Sequence, residues 1–506
     1  MDETTAAVGR APVLRVADAD GAVAAAAREA IGGSAVTVGS AGVRGLDPLV
    51  SATADGRTAF HANCTPDRAR EVAAALDGGD LLTDDAVAVV EHAPDRETLP
   101  VPDDGPLSVG RRRVLGPCGW VAPASVEDLP PTFDERDPGE ALDAIGAIGL
   151  LGRGRGDGRA DEPVAPAWRT ARDADGDPVV VVNANEADRR NETDRVLLEG
   201  APLAVLDGAL AVARAVDATD VIVYCNEADE RLHERVEAAA GALREETGEA
   251  VQVVAGPDRF IAGEMTMALE AMEGADRLEA RLRPPGPEVH GLHGRPTVVH
   301  TPRTFAHVRR ALVAGGEYDP DDADPGTRLF TVTGDVEARA TVELPTGGSL
   351  AAVRDAVTMP GRFKMACVGG QFGGLVRSLD CAPSAPALAA ADLGAEGVVE
   401  LLDESNCVVA TAGRRARFAQ EENCGRCVPC REGSKQLTNL LRDVYDGDYP
   451  DDGLRELARV MRTTSTCAFG QTAARPVATA MEAFEAEFVA HANGRCPSGT
   501  CQEGDS

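Results

Sequence analysis

Short apolar runs and longer helical patterns alternate along residues 12–92. The runs "PVLRVA" and "AVTVGSA" predict strands, whereas "GAVAAAAREAIGG" and "TPDRAREVAAALDGG" have the apolar spacing of helices. The next stretch, "EHAPDRETLPVPDDGPLSVG", is rich in proline, charge and glycine, which is typical of irregular connections. We therefore predict a small α/β module over residues 1–92 and a linker over residues 93–137.

The segment between residues 138 and 312 is the longest block of alternating pattern. Its strand-like runs "PVVVVNAN", "DVIVYCN" and "VQVVAG" are separated by alanine-rich helical stretches such as "GAPLAVLDGALAVARAV". This alternation predicts a layered, Rossmann-like α/β domain. The following runs, "TRLFTVTGDV" and "ATVELPTG", predict a hairpin that is followed by a helix, and we assign this compact module to residues 326–402.

Strand patterns end near Asp403, and the apolar positions then follow the helical period as far as "AARPVATAMEAFEAEFVAH". We predict a helical domain over residues 403–492. The tail over residues 493–506 is short and polar, so we expect it to need a tether in order to fold. The whole chain is thus predicted to be an α/β multidomain protein that ends in a helical bundle.

The charge balance excludes one class of function. Among 506 residues, 83 are acidic and 50 basic, which gives a net charge of −33. Such a chain would repel nucleic-acid phosphates. Only Lys364 and Lys435 are lysines; an acidic, lysine-poor surface is typical of proteins from concentrated salt, although a GC-biased genome explains the arginines equally well. Without a long apolar run or a secretory signal, we expect a cytoplasmic protein that does not enter a membrane.

Cysteine spacing indicates a metal cluster in the helical domain. Cys424, Cys427 and Cys430 recur at intervals of three in "ENCGRCVPCREG", and Cys467 follows in "RTTSTCAFGQTAARPV". Thiolates in such a run can each reach a different iron of a [4Fe-4S] cube, and Cys467 supplies the fourth ligand. A structural zinc ion, which more often uses separated pairs, and a reactive dithiol are the alternatives. We predict one [4Fe-4S] cluster.

The same residues resemble a known family. "ENCGRCVPCREG" followed by "STCAFGQTAARPVATAMEAFEAEF" is similar to the cluster-binding helical domain of the NADH-oxidising flavoprotein subunit of respiratory complex I, and of diaphorase subunits of bifurcating hydrogenases and formate dehydrogenases. "GTRLFTVTGDVEARATVELPTGGSL" resembles the ubiquitin-like β-grasp module of that family, and the first module resembles its thioredoxin-like [2Fe-2S] domain. Because Cys64 is the single cysteine of the first module, we expect a degenerate copy that holds no cluster.

The resemblance implies an oxidoreductase that passes electrons from NADH through FMN to the cluster and on to other electron-transfer subunits. No catalytic side chain is assigned. By pattern alone, "GLLGRGRGDGR" suits either a phosphate cradle or a flexible polar loop. Carried over from the family, the cofactor-binding positions are the phosphate loop, two flavin contacts and an acidic edge beside the flavin: Gly152, Arg153, Gly154, Asn183, Glu186, Gly263 and Glu264.

Several positions depart from the family pattern. The phosphate loop usually continues Gly-Ala-Gly-Phe-Pro, but residues 155–159 read "RGDGR". An Asn-Asn-Val-Glu run appears as "HTPR" at residues 300–303, and Asn185, Ala167 and Phe260 replace an aspartate, a lysine and a tyrosine. These departures support an alternative hypothesis, in which the chain is a cluster-bearing relay or assembly subunit that has lost FMN or NADH.

The tail contains a second set of candidate metal ligands. His491, Cys496 and Cys501 lie five residues apart, and their soft donors suit zinc. Diaphorases of the bifurcating type also have a cysteine at the position of Cys407, so the resemblance implies a Cys3His zinc site that clips the tail to the helical domain. An untethered tail with free thiols is the alternative.

Overall fold

The computed structural model describes residues 5–9, 11–18, 21–31 and 34–501. In this part of the chain the strands form three sheets, and helices dominate after Asp403. No single helix there is long and apolar enough to cross a membrane; one bent pair, Thr193–Gly200 with Pro202–Ala215, meets that test on length and composition alone.

The first sheet has the strand order β2-β1-β3-β4-β5. Strand β1 pairs parallel with β2 and antiparallel with β3. Both faces of β1 are buried, because Leu14 and Val16 pack under two helices while Val13 and Ala17 join the core of the third sheet. The elements are β1 Val13–Ala17, α1 Ala22–Ile31, β2 Ala35–Val38, β3 Leu49–Ala54, β4 Arg57–His61, α2 Pro66–Asp77 and β5 Ala88–Glu91.

The second sheet is entirely parallel, in the order β8-β7-β6-β9. Strand β6, "VVVVNA", is buried along its whole length because helices cover both faces, as is typical of parallel sheets. The polar Asn183 lies near its carboxyl end, where ligands bind in open α/β sheets. The elements are α3 Pro138–Ile148, α4 Ala165–Asp173, β6 Val179–Ala184, α5 Thr193–Gly200, α6 Pro202–Ala215, β7 Asp220–Asn226, α7 Glu230–Thr247, β8 Val251–Gly256, α8 Met265–Met272, α9 Pro287–His290, β9 Thr297–His300 and α10 Pro302–Val313.

The third sheet is mixed, in the order β11-β10-β14-β12-β13. Strands β10 and β11 form an antiparallel hairpin, and β14 returns to lie parallel to β10. Its apolar face shares a core with β1. The elements are β10 Thr327–Gly334, β11 Ala340–Pro345, β12 Phe363–Val368, β13 Gly374–Val376, α11 Ala385–Ala390 and β14 Val398–Asp403.

The C-terminal part is a bundle in which α12 packs against α13 and α16. Buried apolar residues such as Ala412, Leu437 and Phe484 form its core. Cys424 and Cys427 lie in the short connection between α12 and α13, Cys430 lies in the first turn of α13, and Cys467 directly precedes α15. The helices are α12 Val408–Glu422, α13 Val428–Asp443, α14 Asp451–Thr464, α15 Ala468–Thr472 and α16 Arg475–Ala492.

Residues 93–137 form an irregular connection that is only partly buried: residues 93–97 are exposed, whereas residues 114–125 are buried. Leu99, Leu115 and Trp120 are almost fully buried. The Glu343 carboxylate accepts hydrogen bonds from the backbone N–H groups of residues 113–115, which satisfies an irregular backbone away from water. The prolines and glycines of this segment therefore indicate irregular structure, whereas its apolar side chains determine which of its residues are buried.

Candidate functional site

A cavity of about 360 Å³ lies between the second sheet and the helical bundle. One wall is the glycine-rich loop after α3, and another is α15, which begins one residue after Cys467. The lining side chains include Arg155, Asp157, Phe260, Glu264, Glu396 and Phe469. The cavity therefore adjoins both the loop and a candidate cluster ligand.

The glycine-rich loop, residues 152–159, is packed closely at the carboxyl ends of β6 and β9. The Asn183 amide donates to the carbonyl oxygens of Gly156 and Gly263, each at 3.0 Å. A Cβ atom on Gly152 would lie 2.3 Å from the Arg159 carbonyl oxygen, and one on Gly156 would lie 2.6 Å from the Asn183 amide nitrogen. The glycines are thus required by close approach, and the alternative of a flexible loop is wrong.

The loop and the start of α10 form a nest of hydrogen-bond donors around the Asp157 carboxylate. Backbone N–H groups, a hydroxyl and an imidazole all point at its two oxygens: Arg153 N at 3.3 Å, Arg159 N at 2.8 Å, Thr301 N at 3.3 Å, Thr304 Oγ1 at 2.7 Å and His300 Nδ1 at 2.7 Å. Burial alone would raise the pKa of Asp157, but its interactions with His300 and Thr304 outweigh burial and hold the pKa below its usual value. Asp157 is therefore a buried anion.

A tryptophan fixes the proton on the His300 ring. The Trp168 indole N–H donates to His300 Nε2 at 2.7 Å. An indole nitrogen can only donate, so Nε2 is the acceptor and the ring proton sits on Nδ1, facing Asp157. All three side chains joined by these two hydrogen bonds are buried: Trp168, His300 and Asp157.

The side chain of Arg153 points away from the cavity. Its guanidinium donates to the carbonyl oxygens of Leu151, Pro325 and Thr327 and lies 3.6 Å from Asp324. Only the Arg153 backbone N–H points into the nest. The side chain predicted to contact a cofactor instead joins the loop to the start of the third sheet, because a buried guanidinium needs several acceptors.

The other predicted cofactor-binding residues gather near the cavity. The Glu264 carboxylate caps α8 by accepting from the Thr266 and Met267 N–H groups. Glu186 forms an ion pair with Arg155 at 2.9 Å, and the Arg155 guanidinium stacks on the Phe260 ring at 3.9 Å. Gly154 and Gly263 are closely packed. A Cβ atom on Gly263 would lie 2.4 Å from the Asn185 carbonyl oxygen, and Gly154, which has φ +93°, lies against the Arg303 side chain.

Four phenylalanine rings separate the cavity from the bundle, and no sequence pattern indicated them. They form edge-to-face pairs with centroid distances between 4.8 and 5.9 Å, which is the geometry that aromatic pairs prefer. The rings come from well-separated segments: Phe260, Phe372, Phe418 and Phe469. Four of the 11 phenylalanines of the chain thus meet at this site.

The four candidate cluster cysteines come together at the base of α13 and α15. Cys427 immediately precedes α13, and Cys430 lies in its first turn. Cys430 and Cys467 are buried, whereas Cys424 and Cys427 are half-buried. Burial raises the pKa of the Cys430 thiol, and the neighbouring charges of the other three cysteines raise it further. Four thiols that interact with one another in an apolar core suit a cationic iron cube.

The tail cysteines and His491 also converge. The ligand atoms of Cys407, His491, Cys496 and Cys501 all lie within 4.8 Å of one another, and Cys407 Sγ is 3.2 Å from His491 Nε2. His491 Nδ1 donates to the Glu487 carbonyl oxygen at 2.7 Å, which leaves Nε2 free to bind a metal. The tail therefore lies against the helical bundle as far as Cys501; residues 502–506 lie outside the described part of the chain.

Comparison with known proteins gives the family. Residues 146–310 match the model of the Nuo51 FMN-binding domain, and residues 410–491 match the NADH-ubiquinone oxidoreductase-F iron-sulfur binding region. The second NADH-quinone oxidoreductase F-subunit of Rhizobium meliloti (strain 1021) is 31% identical over 390 residues, which is 72% of this chain and 91% of that protein. The chain belongs to the F-subunit family of NADH-quinone oxidoreductases.

The F-subunit family extends to hydrogenases. NADP-reducing hydrogenase subunit HndC of Solidesulfovibrio fructosivorans is 30% identical over 422 residues, which cover 76% of this chain and 84% of that protein. The air-oxidised crystal structure of an NAD+-reducing [NiFe]-hydrogenase shares the fold, with a TM-score of 0.65 at 24% identity, over 95% of this chain and 86% of that chain. These matches confirm the predicted mixed α/β multidomain architecture, the FMN-binding domain and the helical iron-sulfur region.

Residues that depart from the F-subunit pattern bind partners within the chain. His300 binds Asp157, and both replace family residues. Arg303, which stands where the family has a glutamate, binds the Asp194 carboxylate through its backbone N–H and its guanidinium. The departures therefore complete internal pairs rather than leave polar groups unsatisfied.

Glu396 is a further titratable residue of the cavity that F-subunit motifs did not point to. Burial raises its pKa to about 7, although Arg155 and Arg475 act in the opposite direction. No sequence signal marks it, because the residue lies in an irregular turn before β14 and reaches the cavity only through the fold.

The raised pKa of Glu396 predicts a pH effect on stability. The Glu396 carboxyl holds its proton more tightly in the folded state than in the unfolded state. The free energy of unfolding therefore falls as pH rises from the ordinary pKa of a glutamate to about 7. We expect Glu396→Gln to remove this cost, so that the variant gains about 1 to 3 kcal/mol over the wild type between pH 5 and pH 8. Urea unfolding at constant salt measures the free energy of unfolding at each pH. Glu162→Gln, at an exposed carboxyl of the same cavity, is the control. If the free energy of unfolding depended on pH in the same way for the wild type and both variants, the prediction would be wrong.

Proposed function

We propose that this chain is the flavoprotein subunit of an NADH dehydrogenase, which passes electrons from NADH through FMN to one [4Fe-4S] cluster held by Cys424, Cys427, Cys430 and Cys467. The observation that carries the proposal is continuity: the wall of the cavity in the FMN-binding domain includes Ala468 and Phe469, and the next residue back along the chain is Cys467. Bound FMN supplies the conversion of a two-electron hydride into single electrons. A cluster held by Cys467 would lie next to this wall of the cavity.

The residues of the cavity fit the ring system of a flavin. The Phe260 and Phe469 rings offer apolar contact, and the Arg155 guanidinium offers charge next to polar atoms of Glu186 and Glu264. We propose that Asn183, Glu186, Gly263 and Glu264 orient the ring, that Gly152 and Gly154 shape the loop, and that the phenylalanine rings exclude water between cavity and cluster. Arg153 contributes through its backbone only.

The module labels and partners are proposals that rest on topology and on the relatives. We propose a degenerate thioredoxin-like module over residues 1–92, a Rossmann-like flavin domain over residues 138–312, a β-grasp module over residues 326–402 and a helical [4Fe-4S] domain over residues 403–492. The return of β14 parallel to a leading hairpin supports the β-grasp label. The relatives are named as subunits of larger oxidoreductases, so we propose electron-transfer subunits as partners, and neither nucleic acid nor membrane insertion.

A spectrum tests the proposed function. Protein purified without oxygen, in concentrated salt that screens the net charge of −33, is expected to show flavin and iron-sulfur absorbance that bleaches on addition of NADH. Iron-sulfur absorbance that does not respond to NADH would instead support the second candidate, a cluster-bearing relay or assembly subunit. That candidate is favoured by one observation, the Asp157 carboxylate inside the anion nest.

We propose a zinc site formed by Cys407, His491, Cys496 and Cys501. Three sulfurs and one imidazole nitrogen are a common zinc set, and these four ligand atoms already lie within 4.8 Å of one another. By contrast, a cube keeps its four ligands on four different irons and therefore further apart. Zinc at this place would join the start of α12 to the end of α16.

Zinc analysis of a double variant tests this site. Cys496→Ser with Cys501→Ser is expected to lose the bound zinc, about one ion per chain, because two ligands do not hold the ion. The matched control is Cys381→Ser, at a half-buried thiol outside both clusters. Metal content is measured by mass spectrometry after dialysis, with iron as the internal reference. Zinc that stays at the wild-type level in the double variant would reject the site.

A further inference from the structure

The anion nest of this chain already contains an anion. Five donors from the glycine-rich loop, the end of β9 and the start of α10 converge on the Asp157 carboxylate, whose side chain has no exposed surface. Loops of this kind, placed at a helix N-terminus, are binding sites for phosphate groups because their N–H groups converge and the helix dipole favours negative charge. The donors that a phosphate group would use are therefore engaged.

The carboxylate is fixed in place. A Cβ atom on Gly152 would lie 2.5 Å from Asp157 Oδ1, so the loop closes tightly around the carboxylate. His300 donates its Nδ1 proton to Asp157, and Trp168 holds the opposite ring nitrogen. Release of the carboxylate would leave these buried donors without an acceptor.

The positive charges of the loop are neutralised within the chain. Each of its three arginines has an acidic partner: Arg153 lies 3.6 Å from Asp324, Arg155 lies 2.9 Å from Glu186 and Arg159 lies 3.2 Å from Glu162. Arg303, next to Gly154, is paired with Asp194. A phosphate group entering the nest would thus meet a buried carboxylate of the same sign and arginines that already have counter-ions.

We propose that Asp157 determines which flavin this chain holds: its carboxylate takes the place of the flavin phosphate, so that the site binds riboflavin at least as tightly as FMN. This inference rests on the proposed function, because it assumes a flavin ring in the cavity. The same cavity, of about 360 Å³, is also lined by Phe260, Glu264 and Phe469, which leaves space for a flavin ring beside the nest. The nest therefore decides between riboflavin and FMN, because only FMN has a phosphate group to place there. FMN is held weakly and reversibly.

Equilibrium binding of two flavins tests the proposal on the full-length protein with its cluster intact. Quenching of flavin fluorescence gives the dissociation constants of riboflavin and FMN at constant salt. We expect the wild type to bind FMN no more tightly than riboflavin. Asp157→Ala is expected to bind FMN at least 10-fold more tightly than the wild type does, with a change below 3-fold for riboflavin, because the nest is then free for the phosphate.

Two controls make the outcome specific. Glu140→Ala removes an exposed acidic group at the start of α3, outside the cavity and the nest, and we expect it to change FMN affinity less than 3-fold. Asp157→Asn keeps the shape of the side chain and removes its charge, so it replaces Asp157→Ala if that variant does not fold; we expect it to gain FMN affinity as well. Inorganic phosphate is expected to compete with FMN in the Asp157 variants.

The inference is overturned if the wild type prefers FMN over riboflavin by 10-fold or more, or if folded Asp157 variants gain no FMN affinity. In those cases both flavins bind and the proposed function stands. If neither flavin binds to any of these proteins, both the inference and the proposed function fail.

Discussion

Cys427→Ala is expected to yield a protein with less than a tenth of the wild-type iron and without the broad visible absorbance of an iron-sulfur cluster. A [4Fe-4S] cube needs four protein thiolates, and Cys427 lies at the centre of the run, directly before the first turn of α13. The half-buried position of Cys427 makes the replacement mild for packing, so the protein is expected to remain folded and to keep its zinc.

Iron analysis and absorbance of anaerobically purified protein measure this effect. Cys381→Ser again serves as the thiol control, and Cys467→Ala is expected to match Cys427→Ala, since both contribute to the same cluster. Full iron content in both cluster variants would show that these cysteines are not the ligands. Loss of iron in Cys427→Ala alone would point to a fourth ligand other than Cys467.

Arg153→Leu is expected to lower the free energy of unfolding by about 3 to 5 kcal/mol, the usual cost of removing one partner of a buried ion pair. Without the guanidinium, the Asp324 carboxylate and the carbonyl oxygens of Leu151, Pro325 and Thr327 lose a shared donor. Asp324 retains Arg328 as a second partner, which places the expected value toward the lower end of that range.

Urea unfolding at constant salt measures this loss. The control is Arg169→Leu on α4, whose exposed pair with Asp143 is worth less than about 1 kcal/mol. The two variants also separate two roles for Arg153. If its side chain contacted a flavin rather than the third sheet, Arg153→Leu would weaken flavin binding and leave the unfolding curve unchanged.

Short patterns in the sequence account for much of what could be predicted correctly. The Cys424 run and the "STCAFGQ" stretch around Cys467 are short and specific, so the cluster region could be predicted without a structure. Continuous valine runs such as "VVVVNA" indicated the buried parallel strands. The tail ligands needed the resemblance as well, because Cys407 lies 84 residues before His491 and no spacing rule links them.

Long-range pairs account for what the sequence did not reveal. Asp157 and His300 are 143 positions apart, and each in isolation reads as a departure from the family pattern rather than as half of a hydrogen-bonded pair. The direction of the Arg153 side chain is set by carbonyl groups more than 170 residues away. The backbone of residues 113–115 likewise depends on Glu343, a carboxylate from a distant strand.

The two-sided burial of β1 explains why a module with one cysteine persists in the chain. Val13 and Ala17 complete the core beneath the third sheet, and the Arg15 guanidinium stacks on Trp120 at 3.6 Å. A truncated chain beginning at residue 93 would expose that apolar surface to water and invite aggregation. The first module therefore serves the rest of the chain as a cover for the third sheet, a role that needs its packed volume and no bound cluster.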